Sequence, residues 1–362
     1  MRKLAKIEII NGIVPIEGKD KIVLATVGGW NVIIQKDLYQ VGDLVVFVEP
    51  DSLLPEKPEF EFLRSKKFKI KTMKLGHTVS QGICFPLSIL PQDEQYFLED
   101  DVTEILGIKN FNDTEEDTLK IEKAKTFKNP ILKYLMRYKF IRKLLLPKKK
   151  NKGGFPEFIS KSDEIRCQNI SHILKEKDIK YVVREKLDGT SVTFYLKKIP
   201  KTFFWQKTKY DFGVCSRNLR LYTEDNSVYW QVAKKYNIEK ILERIIGNED
   251  FVAIQGEILA PSVQKNKYNV NEPKLYCFNL IYPSGKIDCL TAERLVWKYG
   301  LEWCPLVEES YTMPDTIEEL LEHSTGTSKL YDTLREGLVY RNYQKGFSFK
   351  AVSPDFLIKH KL

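Results

Sequence analysis

The chain has 362 residues, 43% of them hydrophobic, and a formal net charge of +9. That length points to two domains rather than one, and the hydrophobic share is enough to fill two cores, which excludes wholesale disorder. No run approaches the roughly 20 apolar residues of a membrane span, and the charged start Met1-Arg2-Lys3-Leu4-Ala5-Lys6 lacks the apolar core of a signal peptide, so a cytoplasmic or nuclear protein is expected, neither secreted nor membrane-bound.

In chain order, the first hundred residues read as strands. Ile7–Ile10 precedes Asn11-Gly12, Lys21–Val27 precedes Gly28-Gly29, and Trp30–Ile34 and Leu44–Val48 follow, the last before Glu49-Pro50-Asp51. Short β-branched and aromatic runs bounded by turn residues, with no helix between them, predict a small closed barrel. An oligonucleotide-binding (OB) barrel is one of several that fit the length. A turn-rich acidic segment runs from Pro91 to about Asp117, and Ile131–Leu146 reads as a basic helix between Pro130 and Pro147. The run Lys148-Lys149-Lys150-Asn151-Lys152-Gly153-Gly154 reads as a flexible hinge. The predicted division is therefore 1–120 for the barrel, 121–153 for a basic helical linker and 154–362 for a second domain. In that domain Tyr181–Glu185, Val192–Leu196, Phe251–Leu259, Lys274–Tyr282, Gly337–Arg341 and Phe347–Val352 read as strands. Ser227–Ile246, Ala292–Tyr299 and Thr316–Glu322 read as helices, an α+β pattern without regular alternation.

From Lys123 to Lys152 there are many Lys and Arg residues and no Asp or Glu. Such a segment suits a polyanion, nucleic acid first, although a solvated linker or a membrane-surface helix has the same composition. Cys84, Cys167, Cys215, Cys277, Cys289 and Cys304 contain no C-x-x-C pair, which argues against a zinc ribbon or a disulfide framework.

Lys186-Leu187-Asp188-Gly189 falls in the turn between two predicted strands. A lysine must lose its proton to act as a nucleophile, and burial, a metal ion or neighbouring cations favour the neutral amine. Gly189 suits a tight turn, and Asp188 is able to hold a metal through water. Alone the tetrapeptide is a weak signal, and an ordinary hairpin turn contains the same residues. Downstream lie Cys215-Ser216-Arg217-Asn218, Gln255-Gly256-Glu257-Ile258, Leu275-Tyr276-Cys277-Phe278, Arg335-Glu336-Gly337-Leu338-Val339 and Phe347-Ser348-Phe349-Lys350.

In order and spacing this series resembles the nucleotidyltransferase motifs of polynucleotide ligases and mRNA capping enzymes. Phe155-Pro156-Glu157-Phe158-Ile159, Lys161-Ser162-Asp163-Glu164 and Arg166-Cys167-Gln168-Asn169 look like the lead-in of nick-sealing RNA ligases. Val41-Gly42-Asp43, Asp51-Ser52-Leu53-Leu54-Pro55, Lys69-Ile70-Lys71 and Ser80-Gln81-Gly82 are similar to the N-terminal OB domain of the Deinococcus and Naegleria branch. The chain stops soon after Lys350, without the C-terminal OB domain of DNA ligases and capping enzymes. The resemblance implies an OB-type barrel followed by an adenylyltransferase (ATP-grasp-like ligase) domain of antiparallel sheets and helices. It also implies a monomer that uses ATP with Mg²⁺ or Mn²⁺ to seal nicks in duplex RNA.

By the same resemblance Lys186 would carry AMP, with Lys350 neutralising the α-phosphate. Glu336 would hold a divalent cation, aided by Asp188 and Glu257. Glu257 would bind the ribose hydroxyls or a metal-bound water, Arg217 would contact ribose and phosphate, Phe278 would stack on adenine, and Glu185 and Leu187 would be among the nucleotide-binding residues. Related ligases often carry two lysines spaced K-x-K in the last motif; here the first is Ser348, and Lys345 or another cation would have to compensate. Taken singly, Phe278 is an ordinary core residue and Glu257, Glu336 and Arg217 ordinary strand-end or surface residues. The alternatives are a DNA ligase or capping-type enzyme, or an RNA-binding protein that has lost catalysis. The barrel and basic segment are expected to grip duplex RNA around the nick.

Overall fold

The computed structural model describes residues 3–111, 152–201, 203, 205–222 and 226–362. The predicted basic helix and nearly all of the linker lie outside the described residues.

The N-terminal part holds β1 (Ala5–Pro15), β2 (Ile22–Val27), β3 (Trp30–Gln35), β4 (Leu44–Val48), β5 (Ser52–Leu53), β6 (Met73–Leu75), β7 (Thr78–Ser80), β8 (Ile83–Phe85), the short helix α1 (Thr103–Leu106) and β9 (Lys109–Asn110). Five strands form one sheet in the order β3-β2-β1-β4-β8. β1 serves both halves, pairing with β4 over Ala5–Ile9 and with β2 from Ile10 onward. A register shift between Ile10 and Gly12 bends it from one half into the other. Alternation puts Trp30, Val32 and Ile34 inside with Val23, Ala25 and Val27. The open side is nearly closed where Gln81 N donates to Asn31 O at 2.8 Å and Ile33 N to Ser80 Oγ at 2.9 Å. This is an OB-type barrel.

The second part contains β10 (Lys152–Gly154), β11 (Ile165–Arg166), β12 (Lys180–Lys186), β13 (Thr190–Ile199), β14 (Lys209–Cys215), β15 (Leu219–Leu221), α2 (Val228–Lys235), α3 (Ile238–Ile245), β16 (Phe251–Leu259), β17 (Lys274–Tyr282), β18 (Gly285–Lys286), α4 (Cys289–Trp297), β19 (Glu302–Trp303), β20 (Leu306–Thr312), α5 (Ile317–Ser324), β21 (Gly337–Asn342), β22 (Phe347–Val352) and α6 (Pro354–His360). Two sheets organise them, β10-β15-β14-β13-β16-β17-β18 with β19 beside β17, and β11-β22-β21-β12-β20. The predicted helix Ser227–Ile246 is two helices, because Asn237 takes a left-handed φ of 51° and breaks the hydrogen-bond ladder. α5 begins with the capping box of Thr316 and Glu319.

Three polar residues of Arg166-Cys167-Gln168-Asn169 bind the barrel. Arg166 Nη2 lies 2.6 Å from Asp51 Oδ2, Gln168 Nε2 donates to Gln81 Oε1 at 3.2 Å, and Asn169 Nδ2 donates to Glu49 Oε1 at 2.5 Å. Trp30 Nε1 returns a bond to Asn169 Oδ1 at 2.8 Å.

Candidate active site

β12 belongs to the five-stranded sheet and β13 to the larger one, so Lys186-Leu187-Asp188-Gly189 is the crossing between the two sheets. A cleft of about 750 Å³ opens there, within the range of small-molecule sites. Gly189 has a different use from the turn expected of it. Its φ is not left-handed; instead an added Cβ would lie 2.4 Å from the Ile258 carbonyl oxygen and 2.8 Å from Leu259 Cδ2. Gly337 answers a similar demand, since a Cβ would sit 2.2 Å from the Ala351 carbonyl oxygen. These close approaches bring Lys186, Glu257 and Glu336 to one place.

Lys186 is level with Gly337 across β12 and β21, and its Nζ donates to Glu336 Oε2 at 2.6 Å. Burial pulls the ammonium's pKa down, but the Glu336 and Glu257 carboxylates override it and hold it above the ordinary value. The sequence suggested burial or cations to free the amine; the immediate neighbours are anions. Burial pushes the Glu257 carboxyl up to about 8, against the pull of Lys186 and with the push of Glu336 and Asp188. Burial likewise raises Glu336, with Lys186 opposing. The ammonium form of the lysine is favoured while the carboxyl groups are driven toward neutrality, because burial disfavours the anions and Glu336, Glu257 and Asp188 stand close together around it. Nearest Lys186, carboxyl groups outnumber ammonium groups, with Glu336, Glu257 and Asp188 against Lys186 and Lys267.

Asp188 is ion-paired with Lys267, and its backbone N–H donates to Tyr268 Oη at 2.9 Å. Glu257 Oε1 accepts from Gly189 N at 3.0 Å. Among the described residues no group of three His, Cys, Asp or Glu converges tightly enough to cage a metal. A divalent cation would therefore rest on one or two of these carboxylates and complete its shell with water and phosphate oxygens, as Mg²⁺ usually does. Carboxyl groups in excess of their ammonium partners fit that occupant.

Phe278 lines the cleft and owes its position to a β-bulge. Gln255 faces Asn279 and Gly256 faces Cys277, so Phe278 is the extra residue with no cross-strand partner. Lys350, on β22, lies level with Val339 on one side and with Arg166 of the parallel β11 on the other. Asp163 forks between two expected phosphate ligands, with Oδ1 3.0 Å from Lys350 Nζ and Oδ2 2.9 Å from Arg217 Nη2. Leu187 is a core residue at the cleft floor. The Glu185 carboxylate accepts from Lys329 N at 2.8 Å, and its backbone N–H donates to the Pro305 carbonyl.

Lys345 does not substitute for a second lysine. It pairs with Glu176 at 3.0 Å and takes no part in the cleft lining. Ser348 Oγ donates to Glu164 Oε2 at 2.6 Å, and the residue facing it across the strands is Arg341, a buried cation that does line the cleft. Lys267, Asp163 and Arg341 had no role assigned from sequence. Their contacts join positions far apart in the chain, which motif spacing does not reveal.

The chain is similar to known proteins in both of its parts. Residues 4–87 match an OB-fold domain family and residues 179–352 the RNA ligase family. No curated protein matches the chain. Among solved structures, Naegleria gruberi RNA ligase with PPi is 29% identical with a TM-score of 0.79, the match covering 100% of this chain and 99% of that one. A lysine mutant of that enzyme with ATP and Mn is 28% identical with a TM-score of 0.77, covering 99% of this chain and 98% of the other. Among the described residues no helix is long and apolar enough to cross a membrane. With both family matches in chain order and a similarity that spans the full length, the chain belongs to the RNA ligase family and has an OB-fold domain ahead of its ligase domain.

Proposed function

We propose that the chain is an ATP-dependent RNA ligase that seals 3′-hydroxyl/5′-phosphate nicks in duplex RNA through AMP carried on Lys186. The observation that carries this reading is the position of Lys186 Nζ, 2.6 Å from Glu336 at the crossing of two sheets, in a cleft also lined by Glu257, Phe278, Arg217 and Lys350. The solved complexes of the Naegleria enzyme with ATP and Mn support the choice of nucleotide and metal.

Lys186 loses its proton and attacks the α-phosphorus of ATP; the N–P bond forms as the bond to pyrophosphate breaks. An oxygen of the RNA 5′-phosphate then attacks the same phosphorus and frees Lys186. Last, the 3′-hydroxyl attacks the activated 5′-phosphate, its proton is lost, and AMP leaves. All three steps are in-line displacements, in which positioning and charge neutralisation do most of the catalysis. Lys350 and Arg217 exchange Asp163 for phosphate oxygens, and Phe278 offers a ring face to adenine. Glu336, Glu257 and, through water, Asp188 would hold a divalent cation. A divalent cation held there would supply positive charge that disfavours the ammonium form of Lys186 and polarises the α-phosphate.

The barrel and the segment before residue 153 form the grip on duplex RNA, the monomer being sufficient. The test uses α-labelled ATP with Mg²⁺ or Mn²⁺, followed by denaturing electrophoresis. Label that remains on wild type, is absent from Lys186→Ala and is released by pyrophosphate is the expected result. Absence of label with either metal overturns the reading. Nicked RNA duplexes then test the acceptor, and nicked DNA sealed in preference to RNA would overturn the assignment of substrate.

A further inference from the structure

Far from the cleft, the turn joining β13 to β14 has a composition that the reaction does not use. Lys197 to Tyr210 contains five lysines and no acidic residue. Phe203 and Trp205 stand in it 51% and 68% exposed, their rings stacked at 5.0 Å with planes 10° apart. A scattered exposed aromatic is ordinary, but two large exposed rings stacked face to face among lysines form an amphipathic platform. β13 starts at Thr190 in the cleft lining and runs ten residues to Ile199, which puts the hairpin tip about 30 Å from the start of the strand.

We propose that this tip is a second RNA-contact surface, on which Phe203 and Trp205 stack unpaired bases while Lys201, Lys207 and Lys209 follow the phosphates. The inference rests on the RNA ligase reading and adds to it a class of substrate, a nick or break flanked by single-stranded RNA. Charge complementarity selects nucleic acid. The three lysines are exposed; Lys197 lies over the Phe158 ring and Lys198 donates to the Gly247 carbonyl, so these two are committed inward. The adjoining turn brings Asp250 beside Lys198, while the segment from Ile199 to Tyr210 that holds the two rings carries lysines and no acidic residue. The rings select unpaired RNA, because a duplex keeps its base faces stacked on one another and only a single strand offers them to a side chain.

The experiment compares full-length wild type with the double variant Phe203→Ala/Trp205→Ala. Two nicked RNA duplexes are used, alike except that one has a single-stranded extension of ~10 nucleotides, within the span such platforms cover. Wild type is expected to bind the tailed duplex more tightly, and the double variant to lose about five- to hundredfold on that substrate alone, the range implied by one lost stacked base. Trp205→Phe keeps the preference. Replacing Lys201, Lys207 and Lys209 by Ala lowers the slope of log affinity against log salt by about 2. Lys186 labelling by ATP is unchanged in every variant. A wild type indifferent to the tail, a double variant that retains the preference, or equal losses on both duplexes would each overturn the proposal. A wild type that takes no label from ATP fails the ligase reading instead, and the labelling arm separates the two failures.

Discussion

Lys186 and Glu336 meet at 2.6 Å although 150 residues separate them, so the proposed nucleophile rests as one half of an ion pair. Its ammonium pKa lies above the ordinary value because the Glu336 and Glu257 carboxylates outweigh burial. The resting state is therefore unreactive, and something must displace the proton.

Two consequences can be measured by single-turnover labelling with ATP. Without divalent cation, labelling is absent through neutral pH, because the amine stays protonated below its raised pKa. With Mg²⁺ or Mn²⁺ the rate rises with pH as the neutral amine becomes populated. Glu336→Gln separates the two roles of the carboxylate. Were it only a counter-ion, the variant would free the amine and label faster at pH 7. As the metal-holding group, its loss slows labelling by about 10²-fold or more.

In the proposed reaction Asp163 competes with phosphate for Lys350 and Arg217, and the two ends of that contact predict unequal effects. Lys350→Ala should slow adenylylation about 10²- to 10³-fold, as expected when one preorganised donor to a developing charge is lost. Asp163 is more than a third exposed, so Asp163→Asn should change the rate by no more than about fivefold, the yield of a solvent-screened pair. Labelling rates at saturating ATP check both; equal losses would mean that Asp163 itself acts on the nucleotide.

The glycines of the two central motifs are there for space. Gly189→Ala and Gly337→Ala push a methyl group against backbone carbonyl oxygens at 2.4 and 2.2 Å, and each should destabilise by about 1–3 kcal/mol through overpacking. At Gly12 an added Cβ meets nothing within 4 Å, and Gly12→Ala should be nearly neutral. Urea midpoints of the three variants provide the comparison.

His323 stacks on Tyr311 at 4.3 Å between ring centroids, and its Nδ1 is 2.8 Å from Tyr340 Oη. Burial holds its pKa below 6.5, with Glu308 opposing. The unfolded chain therefore binds the proton first as pH falls, so this residue's contribution is complete above about 6.5 and is lost on acidification toward the folded pKa. Wild type should lose more stability than His323→Gln between pH 7 and 5, read as urea midpoints. Parallel curves would mean that the ring is not held neutral by the fold.

Phe251–Leu259 and Lys274–Tyr282 appear in the structure with the boundaries read from sequence, because each is a β-rich run long enough to name a strand. Their mutual register was not legible: the bulge that turns Phe278 into the cleft depends on how two strands pair, not on either one alone. The ordered motifs located the cleft because their charges have no use on an apolar strand except at a polar site. They did not reveal that Lys267 takes up Asp188, 79 residues away, or that Arg341 rather than Lys345 stands beside Ser348. Such contacts are made by tertiary closure and leave no local pattern. The break at Asn237 was missed for a related reason, since apolar periodicity continues through it.

The seam formed by Arg166, Gln168 and Asn169 bears on how freely the two halves of such an enzyme can be recombined. Arg166 is 5% exposed, relies on Asp51, and sits on the strand beside Lys350. A barrel from another protein that lacked acceptors at the positions of Glu49, Asp51 and Gln81 would leave a buried guanidinium and two amides without their partners, next to the strand of Lys350. Loss of the charged pair alone costs about 3–5 kcal/mol, a large fraction of the stability of a typical domain. The barrel and the residues from 166 to 169 thus form one fitted unit, and a functional chimera has to place its junction downstream of Asn169.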